Sequence, residues 1–296
     1  MKHKLKRRVH ASDLVIFVIL LGVCVVTLYP FLNILAISLN DSQDTVRGGI
    51  HILPREFTLD NYKEIFKNPN LVTAFAMSIK RTLVGTALGL FSTAMVAYVI
   101  SRKDFVLSKF MYWVFMLTMY VSGGMIPEFM VIRQLGLLNN FWVYILPGLI
   151  GGWNVFVIKT FIDGLPASLQ ESARLDGAND WVLFSRIVLP LCTPVLATVA
   201  LFCAVYQWNS WFDTYLYASS NEALTTLQYE LMKIITASNS SAAMTSYSDK
   251  VTQIQTVSPE SIRMAITIVA TVPILLVYPF LQRYFVKGLT LGAVKS

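Results

Sequence analysis

The chain has 296 residues, of which 55% are hydrophobic and 14% charged, where an ordinary soluble domain carries about 25% charged residues. With a mean hydropathy of +0.58, this excludes a pair of soluble domains and points to one all-α integral membrane domain. The net charge of +7 gathers in Lys2, Lys4, Lys6, Arg7 and Arg8, directly before an apolar run and with no interleaved aromatics, which argues against nucleic-acid binding and for a cytoplasmic tail over residues 1–13.

A spanning helix needs about 20 mostly apolar residues. The first candidate covers about 14–39. It is too long for a signal-peptide core and reads as a retained span, with Tyr29-Pro30 bending its outer half. Residues 40–70 are a mixed-charge loop with turn signals at Gly48-Gly49, Pro54 and Pro69. Within it, "FTLDNYKEIFKN" predicts a short amphipathic helix with Tyr62, Ile65 and Phe66 on one side and Thr58 or Asp60 as cap.

The second span covers about 78–100, and its Gly85 and Gly89 have the spacing that lets another helix approach closely. The third covers about 109–133 and is broken or bent by Gly123, Gly124 and Pro127. "PEFMVIRQLGLLNN" forms an outer turn, and the fourth span comes next at about 141–162, with Pro147, Gly148, Gly151 and Gly152. The fifth covers about 187–217. A polar stretch from Ser219 to Ser261 precedes the sixth, at about 262–285.

Six spans put both ends on one side, and the basic amino terminus makes that side cytoplasmic in a multi-pass plasma-membrane protein. Arg102, Lys103, Lys109, Lys159, Arg174, Arg186, Arg283, Lys287 and Lys295 then lie inside. Lys80-Arg81 fits least well and is expected at the outer interface with snorkelling stems. Cys24, Cys192 and Cys203 lie in or beside apolar runs and read as small buried hydrophobes. His3, His10 and His51 are too scattered for a metal site, and no residues group as a catalytic set.

The cytoplasmic segment between the fourth and fifth spans, 166–186, predicts a helix-turn-helix elbow. Pro166 opens a helix, and Leu165, Leu169 and Ala173 recur at i,i+4. Gly177 suits the left-handed position that ends it. Asn179 or Asp180 caps a second helix carrying Trp181, Val182 and Phe184, and Pro190 marks a kink into the membrane. Glu171, Ser172 and Arg174 face water or a partner, and Ala173 is small enough for close contact.

Glu171-Ser172-Ala173, three residues, Gly177, nine residues, Ile187, one residue, Leu189-Pro190 resembles the EAA motif of ABC importer permeases, E-A-A, x3, G, x9, I, x, L-P. Only Ser172 departs from it. "ARLDGANDWVLFSRIVLPL" and the ending "QRYFVKGLTLGAVK" are similar to the MalG-like half of the carbohydrate permease pair. "LYPFLNILAISLND" and "GGIHILPREFTLDNYKEIF" resemble its LplC/YtcP-type subgroup. The resemblance implies a type I ABC importer permease fold with the elbow as coupling helix, about Ala167 to Ala178. Glu171, Ser172, Ala173, Arg174, Asp176, Gly177 and Ala178 would meet an ATPase, with Glu171 the charged contact to an ATPase arginine. The implied partners are a second homologous permease, making a heterodimer, two cytoplasmic ATPases that bind ATP and Mg, an external sugar-binding protein or lipoprotein, an oligosaccharide and membrane lipid.

No GxxxxGK[ST] phosphate loop occurs, so this chain is expected to hold no cofactor and not to be an enzyme itself. The alternative is an ion-coupled secondary sugar transporter, which needs intramembrane acids. Its candidates, Glu128, Asp163 and Asp213, fall near span ends. Sugars bind aromatic faces beside amides, and on that chemistry Trp153, Asn154, Tyr206, Trp208 and Asn209 are the expected substrate-path residues. The 219–261 stretch is expected either to meet the binding protein or to be a plain polar loop.

Overall fold

The computed structural model describes residues 11–244 and 258–293. The basic tail Lys2–Arg8, positions 245–257 of the polar stretch, and Lys295 lie outside the described residues. Apart from one antiparallel bridge, Asn40 with Phe57, the described secondary structure is helical. It falls into two compact units. One takes in the chain up to Asn68 with Ile234–Val269, the other Pro69–Lys233 with the chain from Ala270.

In the first unit α1 (Ala11–Ser38) is apolar all round and outwardly exposed. It stays one helix through Pro30, with Thr27 Oγ1 donating to the Val23 carbonyl at 2.8 Å. Cys24 on it is exposed, unlike the expected buried cysteine. The loop after it closes on a polar knot. Asn40 Oδ1 accepts from the backbone N–H groups of Arg55 and Glu56 at 2.8 and 2.9 Å, and its amide donates to Asp44 at 3.0 Å. Arg55 Nε reaches the same carboxylate at 2.9 Å. Asn40, Arg55 and Arg47 together hold the Asp44 carboxyl below the usual carboxylate range. Asp41 caps the short α2 (Ser42–Val46).

The amphipathic helix is α3 (Asp60–Lys67), but its buried face is Asn61 and Ile65, with Phe66 59% exposed. Asn61 turns inward because its amide donates to the carbonyls of Ser38 and Asn40, both at 2.9 Å. The N-cap is Leu59, whose apolar side chain makes no capping bond, and not Thr58 or Asp60; Thr58 Oγ1, one residue earlier, still accepts from the Asp60 N–H at 3.1 Å.

In the second unit α4 (Pro69–Ser101) runs 33 residues, starting earlier than hydropathy suggests because Pro69 is preset for a helix's first position. Its buried positions include Leu71, Ala74, Ser78, Arg81, Gly85, Gly89, Thr93, Ala97 and Ile100. Steps of three and four make one narrow, mostly small-residue stripe, against which the later helices α7 (Gly152–Asp163) and α11 (Thr193–Asn209) pack.

The third span is broken as expected. Helix α6 (Met125–Gln134) is bent by 118° from α5 (Ser108–Tyr120), with Gly124 at φ +83° between them. The "PEFMVIRQ" part of the supposed outer turn is therefore helical. The fourth span is not a continuous helix. A 3₁₀ turn, Phe141–Tyr144, leads into irregular chain, and only the 12 residues of α7 are helical, about 18 Å against a hydrocarbon thickness of about 30 Å. Pro147 lacks a donor and pushes its predecessor out of the helical region, and Gly148 and Gly151 add no preference for it.

The elbow helix α8 (Ala167–Leu175) comes next, then α9 (Asp180–Val182), a π-helical turn over Leu183–Val188 and α10 (Leu189–Leu191). The fifth span is α11, bent by 83° from the 180–191 segment. The corner lies at Cys192, not Pro190: Pro194 has no N–H to return to the Pro190 carbonyl, which instead accepts from Thr193 Oγ1 at 2.7 Å. Helix α12 (Phe212–Tyr217) is separate. The polar stretch is no plain loop, because Leu227–Met244 form the 18-residue α13. The sixth span lies in α14 (Pro259–Ala293), uninterrupted through Pro273 and Pro279. By length and composition three helices among the described residues suit a membrane crossing, or up to five if each bent pair counts as one.

The larger core of this unit joins Ala94, Ala97 and Tyr98 of α4, Val155, Ile158 and Ile162 of α7, Leu183, Phe184 and Val188, and Val195 and Val199 of α11.

Candidate functional site

The elbow is closed by local chemistry. Pro166, at φ −60° and ψ 125°, flanks α8 on its amino side. At the other end Gly177 takes φ +81°. The Ala178 N–H returns to the Ala173 carbonyl and the Gly177 N–H to Arg174, both at 3.0 Å. These are the paired 6→1 and 5→2 bonds of a Schellman ending, and only glycine adopts the required left-handed backbone without strain. An added Cβ at Gly177 would meet nothing within 4 Å, so the constraint is the backbone and not space. Asp176 is the C-cap, its N–H bonded to Ser172 O at 3.0 Å. Asn179, rather than Asp180, caps the next turn, accepting from Val182 N–H at 2.9 Å.

One side of the elbow is anchored. Leu165, Ala173 and Ala178 pack on the larger core. Phe91 of α4, Trp181 and Phe184 meet edge-on or tilted, with centroids 5.8–6.5 Å apart. Leu169, expected with Leu165 and Ala173, is 41% exposed instead. The other side is free. Glu171 and Ser172 are exposed, and Ser172 Oγ reaches only the Leu169 carbonyl, at 3.3 Å. Glu171 stands on the lip of an open cleft of about 540 Å³, together with Arg102, Lys159, Gln170 and Arg174.

Sequence reading missed the ion pairs around this cleft. Arg102 grips Asp104 through two 3.0 Å bonds, and Arg174 reaches the same carboxylate at 2.9 Å. Asp180 lies 3.3 Å from Arg102 and 3.5 Å from Arg174. The Arg102 hydrogen bond holds the Asp104 carboxyl below its ordinary range. Lys159 pairs with Asp163 at 2.5 Å. "SRKDF" carried the signal as an Arg-x-Asp spacing, but its link to Arg174 is 70 residues away.

Toward the other end of α4, Arg81 is fully buried and does not snorkel. Its guanidinium pairs with both Asp213 oxygens, donates to Gln207 Oε1 at 2.8 Å and to Ser210 O at 3.2 Å, and stacks 4.5 Å above the Tyr144 ring. Gln207 Nε2 donates to the Tyr144 carbonyl at 3.1 Å. Gly85 makes this possible, since a Cβ there would lie 2.7 Å from the Gln207 amide. Lys80 remains exposed, 4.5 Å over Phe141.

The expected path residues divide. Tyr206 is 61% exposed and Asn209 also faces outward from α11, three residues on; Trp153 of α7 is likewise 61% exposed. Asn154 is half-buried and donates to Cys203 Sγ at 3.6 Å, joining α7 to the Cys203–Tyr206–Asn209 face. Asn209 Oδ1 accepts from Gln228 Nε2 at 3.2 Å. Trp208 does not join them. It is 6% exposed, its indole N–H donates to the Ala270 carbonyl at 2.8 Å, and it meets Phe75 edge-on.

Comparison with known proteins agrees with this architecture. Residues 85–291 match the family model described as "Binding-protein-dependent transport system inner membrane component". The chain is 36% identical to the polygalacturonan/rhamnogalacturonan transport system permease protein YtcP of Bacillus subtilis (strain 168), over 96% of this chain and 98% of that one. It is 40% identical to Protein LplC of the same organism, over 93% and 92%. A crystal structure of a bacterial ABC transporter that imports the acidic polysaccharide alginate superposes with a TM-score of 0.82 at 27% identity, over 94% of this chain and 99% of the matched chain.

Proposed function

This chain belongs to the binding-protein-dependent transport system inner membrane component family, and from that membership we propose that it is the permease subunit of an ATP-driven carbohydrate importer. The elbow carries the reading. Its apolar side is fixed to α4, α7 and α11, while Glu171 projects from a rigidly ended helix beside an open cleft. Such a knob can receive a push from a separate ATPase and pass it to the packed helices. The elbow then faces the cytoplasm, and so do both termini. Glu171, with Ser172, Ala173, Arg174, Asp176, Gly177 and Ala178, forms the docking element; two ATPase subunits, which themselves bind the ATP and Mg, dock one here and one on the partner permease. This chain is itself no enzyme and forms a single membrane domain.

Trp153, Asn154, Tyr206 and Asn209 are the path-facing residues of this half. Trp208 supports them from the packed side. A homologous permease supplies the other half, and an external binding protein delivers the ligand. Acidic oligosaccharides are the substrates to test first, because YtcP and the structurally similar importer carry galacturonan-type chains and alginate. The ion-coupled alternative loses support at two of its three candidate acids, Asp213 and Asp163, which pair with Arg81 and Lys159; Glu128 has no such salt bridge among the described residues.

The test is purification in mild detergent with and without Glu171→Lys. The wild-type chain brings down an ATPase, and uptake in vesicles depends on ATP and not on an ion gradient. Unchanged ATPase co-purification and unchanged uptake in Glu171→Lys would overturn the assignment.

A further inference from the structure

The ring of charges beside the elbow does something that docking alone does not require. Asp104 and Asp180 each meet both Arg102 and Arg174. The result is a closed alternation of two guanidinium groups and two carboxylates. Its two ends differ. The Arg102 side chain is 10% exposed, lies 5.6 Å over the Tyr98 ring, and bonds Tyr98 Oη at 3.2 Å. It is thereby fixed to the last turn of α4. The Arg174 side chain is 45% exposed and rides on α8. Exposed ion pairs taken singly add little stability, and the elbow is already held by Ala173, Ala178 and the Phe91–Trp181–Phe184 contacts. Shared, forked pairs fix geometry better than they add stability.

We propose that Arg102, Asp104, Arg174 and Asp180 form a clamp whose task is positioning. It sets the rotation of α8 about its own axis and makes the α4–α5 corner a second route for motion of the elbow. This rests on the reading of α8 as the ATPase-docking helix. Arg174 and Glu171 are three residues apart and are neighbours on one helix surface. Fixing the direction of Arg174 therefore fixes the direction of Glu171. Without the clamp, the elbow transmits through its covalent neighbours, α7 and α9, and through the apolar contacts of Leu165, Ala173 and Ala178 with the core. With it, a displacement of α8 also draws on Asp104 and so on the end of α4, whose buried stripe lines both α7 and α11. Three of its members, Arg102, Asp104 and Arg174, also line the 540 Å³ cleft that Glu171 borders, so a group entering toward Glu171 meets them.

The test uses the full complex in proteoliposomes, comparing wild type with Asp104→Asn, Asp180→Asn, the double variant and Asp104→Glu. The clamp predicts that Asp104→Asn, which lies outside the docking element, keeps the wild-type ratio of ATPase to permease on purification. ATP hydrolysed per sugar transported rises on the order of fivefold. The double variant is at least as uncoupled as Asp104→Asn, because the two carboxylates share Arg102 and Arg174, and Asp104→Glu recovers part of the coupling. A wild-type ATP-to-sugar ratio in Asp104→Asn overturns the clamp. Loss of the ATPase in Asp104→Asn overturns it too, because Asp104 then serves docking itself. Glu171→Lys, run alongside, reports on docking separately: unchanged ATPase retention and unchanged uptake there refute the docking reading whatever Asp104→Asn shows.

Discussion

Removing Asp213 from the Arg81 network provides a sharp test of how this chain holds a charge among its helices. The two partners are unequally buried, the Arg81 side chain being 1% exposed and the Asp213 side chain 19%. Asp213→Ala leaves a guanidinium with only Gln207 and the Ser210 carbonyl, out of reach of water. Stranding a buried charge in this way costs about 3–5 kcal/mol. Arg81→Met leaves a carboxylate that can take up water, so the cost falls to about 1–3 kcal/mol. The double variant strands nothing. It should be more stable than Asp213→Ala alone, with a coupling of roughly 2 kcal/mol between the sites. Thermal unfolding in detergent, monitored by tryptophan fluorescence, reads the difference, and Asp213→Ala should lower the midpoint by roughly 10 °C. If the two single effects simply add in the double variant, or Asp213→Ala melts like the wild type, the buried pair is not the constraint described.

Gly177→Ala should loosen the elbow by about 1–2 kcal/mol through the left-handed backbone at φ +81°. Hydrogen exchange at the Gly177 and Ala178 amides is the readout, with unchanged protection as the contrary result. Trp208→Phe deprives the Ala270 carbonyl of its 2.8 Å donor and should cost about 1 kcal/mol of stability, while leaving sugar selectivity unaltered; a shift in selectivity would return Trp208 to the path. Asp104 gives a sign for pH. Its folded carboxyl is held low by Arg102, so the contribution of that contact is complete above the ordinary aspartate value of about 3.9 and fades as pH falls through the lowered folded value. Elbow protection should therefore be flat from pH 7 to about 5 and drop only in stronger acid. A drop centred near neutrality would exclude Asp104 as its source.

The features legible in the sequence were local. The Schellman ending is written in one short run, with Gly177 placed after a good helix former and Asn179 placed to cap the succeeding turn. The break near Gly124 and the close approach at Gly85 were equally readable, since each depends on one residue's geometry. The features that escaped were joined across distance. Arg81 and Asp213 are 132 positions apart, and hydropathy alone sends an arginine at a span's end to the interface. Hydropathy also failed at 141–162, because it scores composition and ignores the missing donor of Pro147 together with the weak helix preference of Gly148 and Gly151 beside it. Polar composition hid α13, where Leu227, Leu231, Ile234 and Ile235 recur at helical spacing in a run rich in serine and threonine. Trp208 and Tyr206 look alike on the page, but two positions along α11 turn one into the packed interior and the other out.

The corner at Cys192 has a geometric consequence. Its arms stand at 83°, so the short arm lies almost crosswise to the long one. By that geometry, a slide of residues 180–191 along their own length would move the foot of α11 sideways and scarcely along its axis. In such a slide the long arm would turn like a crank, with the displacement largest at its far end, where Tyr206 and Asn209 sit.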